Sequence, residues 1–178
     1  MTRRVDLLTG PRGIGKSTIC QKLVRDARQA RLACAGLVTL RASNGVREVL
    51  DVGTGITRGL TVAHGATGAI VVQGRFRFDP QTIAWGNEVL IQAPPGDLLI
   101  VDELGPLELR RGGGWQAAFD RLARRDFALA LVVVRPELLD RAQERLGPVG
   151  AVWATTRQSR DDLPRELMEH LLALCAHE

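Results

Sequence analysis

Gly10-Pro11-Arg12-Gly13-Ile14-Gly15-Lys16-Ser17 sets three glycines, a lysine and a hydroxyl at the spacing G-x-x-x-x-G-K-S/T. Such a run is built for phosphate. Its glycines let the backbone curl until several amide N–H groups converge on phosphate oxygens, and a helix that follows adds the positive end of its dipole. The spacing predicts that Lys16 reaches the β and γ phosphates of a bound nucleotide and that Ser17 offers its hydroxyl to Mg2+. Thr18 either touches the α phosphate or caps the first turn, and Arg12 either leans on phosphate or points to solvent. Of 24 basic residues only Lys16 and Lys22 are lysine, so the chain departs from its arginine habit at the motif position. A compact ammonium fits there and a planar guanidinium does not.

A second candidate centre follows the apolar run Leu98-Leu99-Ile100-Val101, which ends in Asp102-Glu103. A carboxylate at the end of a strand neighbouring the loop is where the shell of the metal is held, and Asp102 would do this through water. Glu103 either polarises a water for attack on the γ phosphate or forms a structural ion pair. Successive strand residues face opposite sides, so the catalytic reading requires the chain to leave the strand at Asp102. Asp102-Glu103-Leu104-Gly105 also fits the D-x-x-G of guanine-reading switches, but the only asparagines, Asn44 and Asn87, do not precede lysine. Guanine specificity is therefore disfavoured.

The elements that must position these residues can be read from periodicity. Val5 to Thr9 reads as a strand, and Ile19, Leu23, Ala27 and Ala30 mark one face of a helix after Gly15. Gly36 to Leu40 and Val46 to Val52 read as a hairpin turning at Ser43-Asn44-Gly45. The glycine-rich stretch from Gly53 to Gly74, with its apolar run at Ala69 to Val72, suggests a small antiparallel insertion. Asp79-Pro80 opens a helix with Ile83, Leu90 and Ile91 inward. After the Asp102 strand come a helix on Trp115, Phe119 and Leu122, a strand from Phe127 to Val134, a helix opened by Pro136, and a strand from Val149 to Ala154. A final helix buries Leu163, Leu167, Leu171 and Leu174. Strands alternating with helices indicate a single α/β domain over residues 1–178, a mainly parallel sheet covered on both faces, with its ligand edge at the carboxyl ends of the strands.

Composition removes other classes. The longest apolar runs fall far short of the roughly 20 residues that span a bilayer, and Met1 to Leu8 holds no export signal, so the expected compartment is the cytoplasm. The net charge of +4 invites nucleic acid, yet the arginines are scattered among 20 acids and there is no tyrosine to stack bases on. Cys20, Cys34 and Cys175 lack metal or disulfide spacing and read as small buried hydrophobes, and Trp85, Trp115 and Trp153 as core. His64, His170 and His177 read as solvated or packing residues, and Gly112-Gly113-Gly114 as a connector or a lid. Arg135 closes a strand at the ligand edge, either to meet γ-phosphate charge or to cap the turn at Pro136.

The segments Leu8 to Thr18, Gly36-Leu37-Val38-Thr39 with Gly45 and Arg47, and above all Val101 to Leu109, resemble the small nucleoside-triphosphatase family known from thermophiles and, in animals, as cancer-related nucleoside triphosphatase. Thr155 to Pro164 is similar to that family's closing loop and helix start. The resemblance implies Mg2+-dependent hydrolysis of ATP, GTP and other nucleoside triphosphates on a P-loop fold with a RecA-like strand order. In that order Phe127 to Val134 lies between the loop strand and the Asp102 strand. It also matches Arg160 to a position near the nucleotide, against a surface pair with Asp161 or Asp162. Glu108 keeps a family acid that orients water or fixes Arg110 or Arg111. The sequence departs from the family pattern at Arg12, Pro106-Leu107 and Ser159. Two other readings stay open: a kinase, with Arg75, Arg77, Arg110 and Arg111 closing over an acceptor, and a nucleotide-gated module acting on a partner protein.

Overall fold

The computed structural model describes residues 3–42, 45–62, 69–74 and 76–176. Ser43-Asn44, part of the glycine-rich insertion, Arg75, His64 and His177 lie outside the described residues. In chain order the first half holds β1 (Arg4–Thr9), α1 (Lys16–Gln29), β2 (Cys34–Arg41), β3 (Arg47–Asp51), β4 (Thr57–Gly59), β5 (Val71–Gln73) and β6 (Phe76–Phe78). The second half holds α2 (Pro80–Gln92), β7 (Gly96–Leu104), α3 (Pro106–Arg111), α4 (Ala117–Ala123), β8 (Phe127–Val134), α5 (Leu139–Leu146), β9 (Val152–Ala154) and α6 (Leu163–Cys175).

The main sheet runs β4-β3-β2-β7-β8-β1-β9, parallel from β2 to β9 and extended by the antiparallel β3 and β4. β8 sits between β7 and β1, the position the resemblance implies, and all eight of its residues are buried. A strand covered on both faces has no polar side to show, which is why it reads as an unbroken apolar run. One face packs on α1 and α6 through Ile19, Leu23, Leu167 and Leu171; the other packs on Leu90, Trp115, Leu122 and Ala142. β2 can lie against β7 because residue 36 is glycine: its φ is 108°, and a side chain there would strike the carbonyl oxygen of Ile100. Among the described residues no helix is long and apolar enough to cross a membrane.

Several boundaries differ from the periodic reading. α1 stops at Gln29, so Ala30 caps it and is exposed. α2 is capped by Asp79, whose carboxylate accepts from the N–H groups of Gln81 at 3.1 Å and Thr82 at 3.2 Å. It buries Thr82, Gly86 and Leu90, and Ile91 is 54% exposed, because the stripe at i, i+4, i+8 carries position 91 past the core. Trp115 is buried just ahead of α4 rather than on it, and Pro136 opens a single 3-10 turn before α5. Trp85, Trp153, Cys34 and Cys175 are only partly buried; Cys20 is fully so. β4 falls within the Gly53–Gly74 stretch and pairs antiparallel with β3, while α3 carries no periodic signal. The antiparallel insertion is present as the β5–β6 pair.

Candidate active site

β1 delivers the chain to Gly10, and the loop from Gly10 to Gly15 turns it into α1. Gly10, at a φ of 147°, lies so close to Thr155 that a side chain would meet that residue's carbonyl, which seats the loop against the segment leaving β9. Lys16 folds back over its own loop, Nζ donating to the carbonyl oxygens of Gly10 at 2.6 Å and Pro11 at 3.0 Å. Burial lowers its pKa, while the charges of Glu103 and Asp102 act in the opposite direction.

Asp102, 2% exposed, lies near the end of β7 and lines the cleft with this loop. Its Oδ2 accepts from the Thr39 N–H at 3.1 Å, and its backbone carbonyl accepts from the Thr39 hydroxyl at 2.7 Å. The Ser17 side chain lies near enough to the same carboxylate to lower its pKa, and both residues line one cleft. Burial, the larger effect, pushes the Asp102 pKa up to about 6.

The strand does not end at Asp102. It runs through Leu104, but Asp102 pairs with Val133 and Leu104 with Val134, so Glu103 is an extra residue in the ladder. That irregularity, rather than an exit from the sheet, brings two consecutive carboxylates to one cleft. Both Asp102 and Glu103 line a cavity of about 360 Å3 with Gly13, Lys16, Ser17 and Thr18. Glu103 Oε1 accepts from Arg135 Nε at 2.9 Å and from Nη2 at 2.6 Å, so an ion pair stands in the wall of the cleft.

Other arginines gather here from distant parts of the chain. Arg41 ends β2 and Arg47 begins β3, and both line the cleft with Arg12 and Arg135. Arg12 and Arg47 also lie over the Phe76 ring, at 5.0 Å and 4.3 Å from its centroid. Burial lowers the Arg47 pKa, with Glu103 opposing and Arg12, Arg135 and Arg41 adding to the effect. Thr39, Arg41 and Arg47 join the site without a sequence motif that marks them. Thr39 and Arg47 stood in the family segments, but nothing in their spacing marks them.

The remaining candidates do not line the cavity of the phosphate loop. Arg160 is 48% exposed and pairs with Asp161, Nε to Oδ2, at 3.8 Å. Arg77, Arg110 and Arg111 line neither cleft cavity; Arg111 donates to the Val72 carbonyl and Arg110 borders a depression with Glu137 and Arg141. Glu108 is buried and accepts from the Gly105 N–H at 2.8 Å and the Trp115 N–H at 3.2 Å, holding α3 and the glycine connector rather than Arg110 or Arg111. Burial raises its pKa. His170 packs on Trp153, near the Asp6 carboxylate.

Residues 6–168 match the family profile described as NTPase. The chain belongs to the NTPase family. It is thereby a nucleoside-triphosphatase, a hydrolase that binds nucleotides. The NTPase is 26% identical to nucleoside-triphosphatase THEP1 of Caldivirga maquilingensis over 92% of each chain. It is 30% identical to the THEP1 enzyme of Methanopyrus kandleri, over 93% of this chain and 94% of that one. Its fold matches the solution structure of a human cancer-related nucleoside triphosphatase with a TM-score of 0.73 at 20% identity, covering 96% of this NTPase and 98% of that chain. It also matches crystalline THEP1 from Aquifex aeolicus with a TM-score of 0.69 at 18% identity, covering 94% and 98%.

Proposed function

We propose that this NTPase is a single-domain enzyme that cleaves the terminal phosphoanhydride of nucleoside 5′-triphosphates, ATP and GTP among them, to diphosphate and phosphate with Mg2+. The observation that carries the reading is that Ser17 and Asp102 line one cleft with Lys16, Gly13 and Gly15. A hydroxyl and a carboxylate are hard oxygen donors, and two of them suit Mg2+, which keeps several waters and takes further ligands from substrate phosphates. When bound, the ion would neutralise charge on the β and γ oxygens. Lys16 exchanges its two carbonyl partners for those oxygens, and the backbone N–H groups of the loop from Gly10 to Ser17, all but that of Pro11, which has none, cradle the phosphates, with Thr18 at the α phosphate.

Glu103 takes the proton of the attacking water. Its carboxylate stands in the same cleft, and Arg135, bonded to it, is positioned to meet charge growing on the γ phosphate. Two variants separate these roles. Lys16→Ala loses the calorimetric signal of MgATP binding. Glu103→Gln keeps that signal, and its kcat falls by about 10²-fold or more. Normal turnover by the Gln variant would remove Glu103 as the base.

A further inference from the structure

The cleft continues past Glu103 into a second cavity of about 340 Å3, walled by Leu60, Phe76, Phe78, Ile83, Leu107 and Trp115. It shares Arg12, Thr39, Arg47, Glu103 and Arg135 with the cleft of the phosphate loop. Hydrolysis needs room for one water, about 30 Å3 of liquid volume. A ring-lined space about ten times larger falls at the lower end of the roughly 300–1,000 Å3 typical of small-molecule sites.

The chemistry of the walls is divided. Three aromatic rings and three aliphatic side chains suit a planar apolar body. The boundary with the loop cleft carries three guanidinium groups. Glu103 is committed to Arg135 there, and the Glu108 carboxylate, also at this cavity, accepts from Gly105 and Trp115. The guanidinium carbons of Arg12 and Arg47 lie over the Phe76 ring at 5.0 Å and 4.3 Å from its centroid, at the boundary where an anion would meet their N–H donors. A ligand satisfying both halves has its ring among Phe76, Phe78 and Trp115 and its anionic group at the arginines, next to the γ phosphate of a triphosphate in the loop.

We propose that this cavity binds a second substrate, a small planar aromatic molecule carrying a phosphate monoester, of which a nucleoside 5′-monophosphate is the simplest instance, and that the enzyme transfers the γ-phosphoryl group to it in place of water. The inference rests on the loop cleft being the triphosphate site. In the transfer, an acceptor phosphate oxygen bonds to the γ phosphorus while the bond from that phosphorus to the β–γ bridging oxygen breaks. The bridging oxygen leaves with its electron pair on the nucleoside diphosphate. A dianionic acceptor oxygen carries no proton, so the step needs no base, and its products are two diphosphates.

The test uses the whole protein with each of the four common nucleoside 5′-monophosphates. Without triphosphate, at least one monophosphate quenches tryptophan fluorescence saturably. That binding persists in Lys16→Ala, because Lys16 does not line this cavity. It weakens about tenfold or more in Ile83→Trp, which fills the cavity, and is kept in Ile83→Ala. Should Ile83→Trp fail to fold, Arg47→Met serves: it lowers monophosphate affinity about tenfold and leaves binding of the parent nucleoside unchanged. With MgATP and the bound monophosphate together, 31P spectra show the acceptor's diphosphate forming. Binding by none of the four, binding that Ile83→Trp leaves intact, nucleoside binding as tight as that of its monophosphate, or release of inorganic phosphate alone each overturns the proposal. A MgATP titration of the wild-type protein without monophosphate tests the loop reading separately.

Discussion

At the scale of single residues the decisive fact is that Asp102 is buried between Ser17 and Thr39. Burial raises its pKa from 3.8 to about 6, so between those values the folded chain binds a proton that the unfolded chain does not. For an acid shifted upward, this contribution favours folding most below the unfolded pKa and is lost as pH rises through about 6. Glu108, also raised by burial, adds to the loss with the same sign. Asp102→Asn keeps an acceptor for the Thr39 N–H and a partner for Ser17 without the buried charge. In urea melts of the metal-free protein at pH 8 it is more stable than wild type by about 1–3 kcal/mol, and the gap closes at pH 4. An unchanged gap would mean that Asp102 titrates normally. Cys20 follows the same logic: fully buried, with its thiol pKa pushed up by burial, it resists iodoacetamide in the native protein, while the partly exposed Cys34 is modified.

At the scale of elements, what could be read from the sequence divides by how local the cause is. The phosphate loop was legible because its conformation depends on consecutive residues, and Asp79-Pro80 because a cap is made within one turn. The irregular step at Glu103 was not, since it arises from how β7 pairs with β8, more than twenty residues away. Thr39 and Arg47 reach the cleft from two strands, and nothing local to either announces the meeting, whereas Arg135 is legible from its place closing a strand at the ligand edge. On α2, Ile83 and Leu90 face the core as the periodicity implies and Ile91 does not, while Gly86, which offers no hydrophobic signal, is the contact point for Trp115. This yields a prediction opposite to helix propensity. Gly→Ala within a helix normally stabilises by roughly 0.5–1 kcal/mol, but at Gly86 the new methyl group would enter the Trp115 ring. Gly86→Ala therefore melts lower than wild type, by an overpacking cost of about 1–3 kcal/mol. A rise in melting temperature would show that α2 and Trp115 are not packed this way.

At the scale of the whole molecule, the cleft is where otherwise separate parts of the chain meet. The loop follows β1, Thr39 lies on β2, Arg47 on β3, the two carboxylates on β7 and Arg135 at the end of β8. The β5–β6 hairpin joins through Phe76, held under Arg12 and Arg47. A triphosphate bound there contacts groups that come together only in the folded state, so its binding energy adds to folding energy. At a free MgATP concentration of 100 Kd the gain is about 2.7 kcal/mol, which for a chain of this size raises the melting temperature by about 5–10 °C. Lys16→Ala removes the rise without much altering the melting temperature of the free protein, because its lost partners are carbonyls that water can reach once the side chain is gone. The shift should also shrink as salt is raised from 50 to 500 mM, since a cluster of cationic side chains attracts the polyphosphate and ions screen that attraction. A shift independent of salt and kept in Lys16→Ala would mean that the nucleotide stabilises the fold from some other surface.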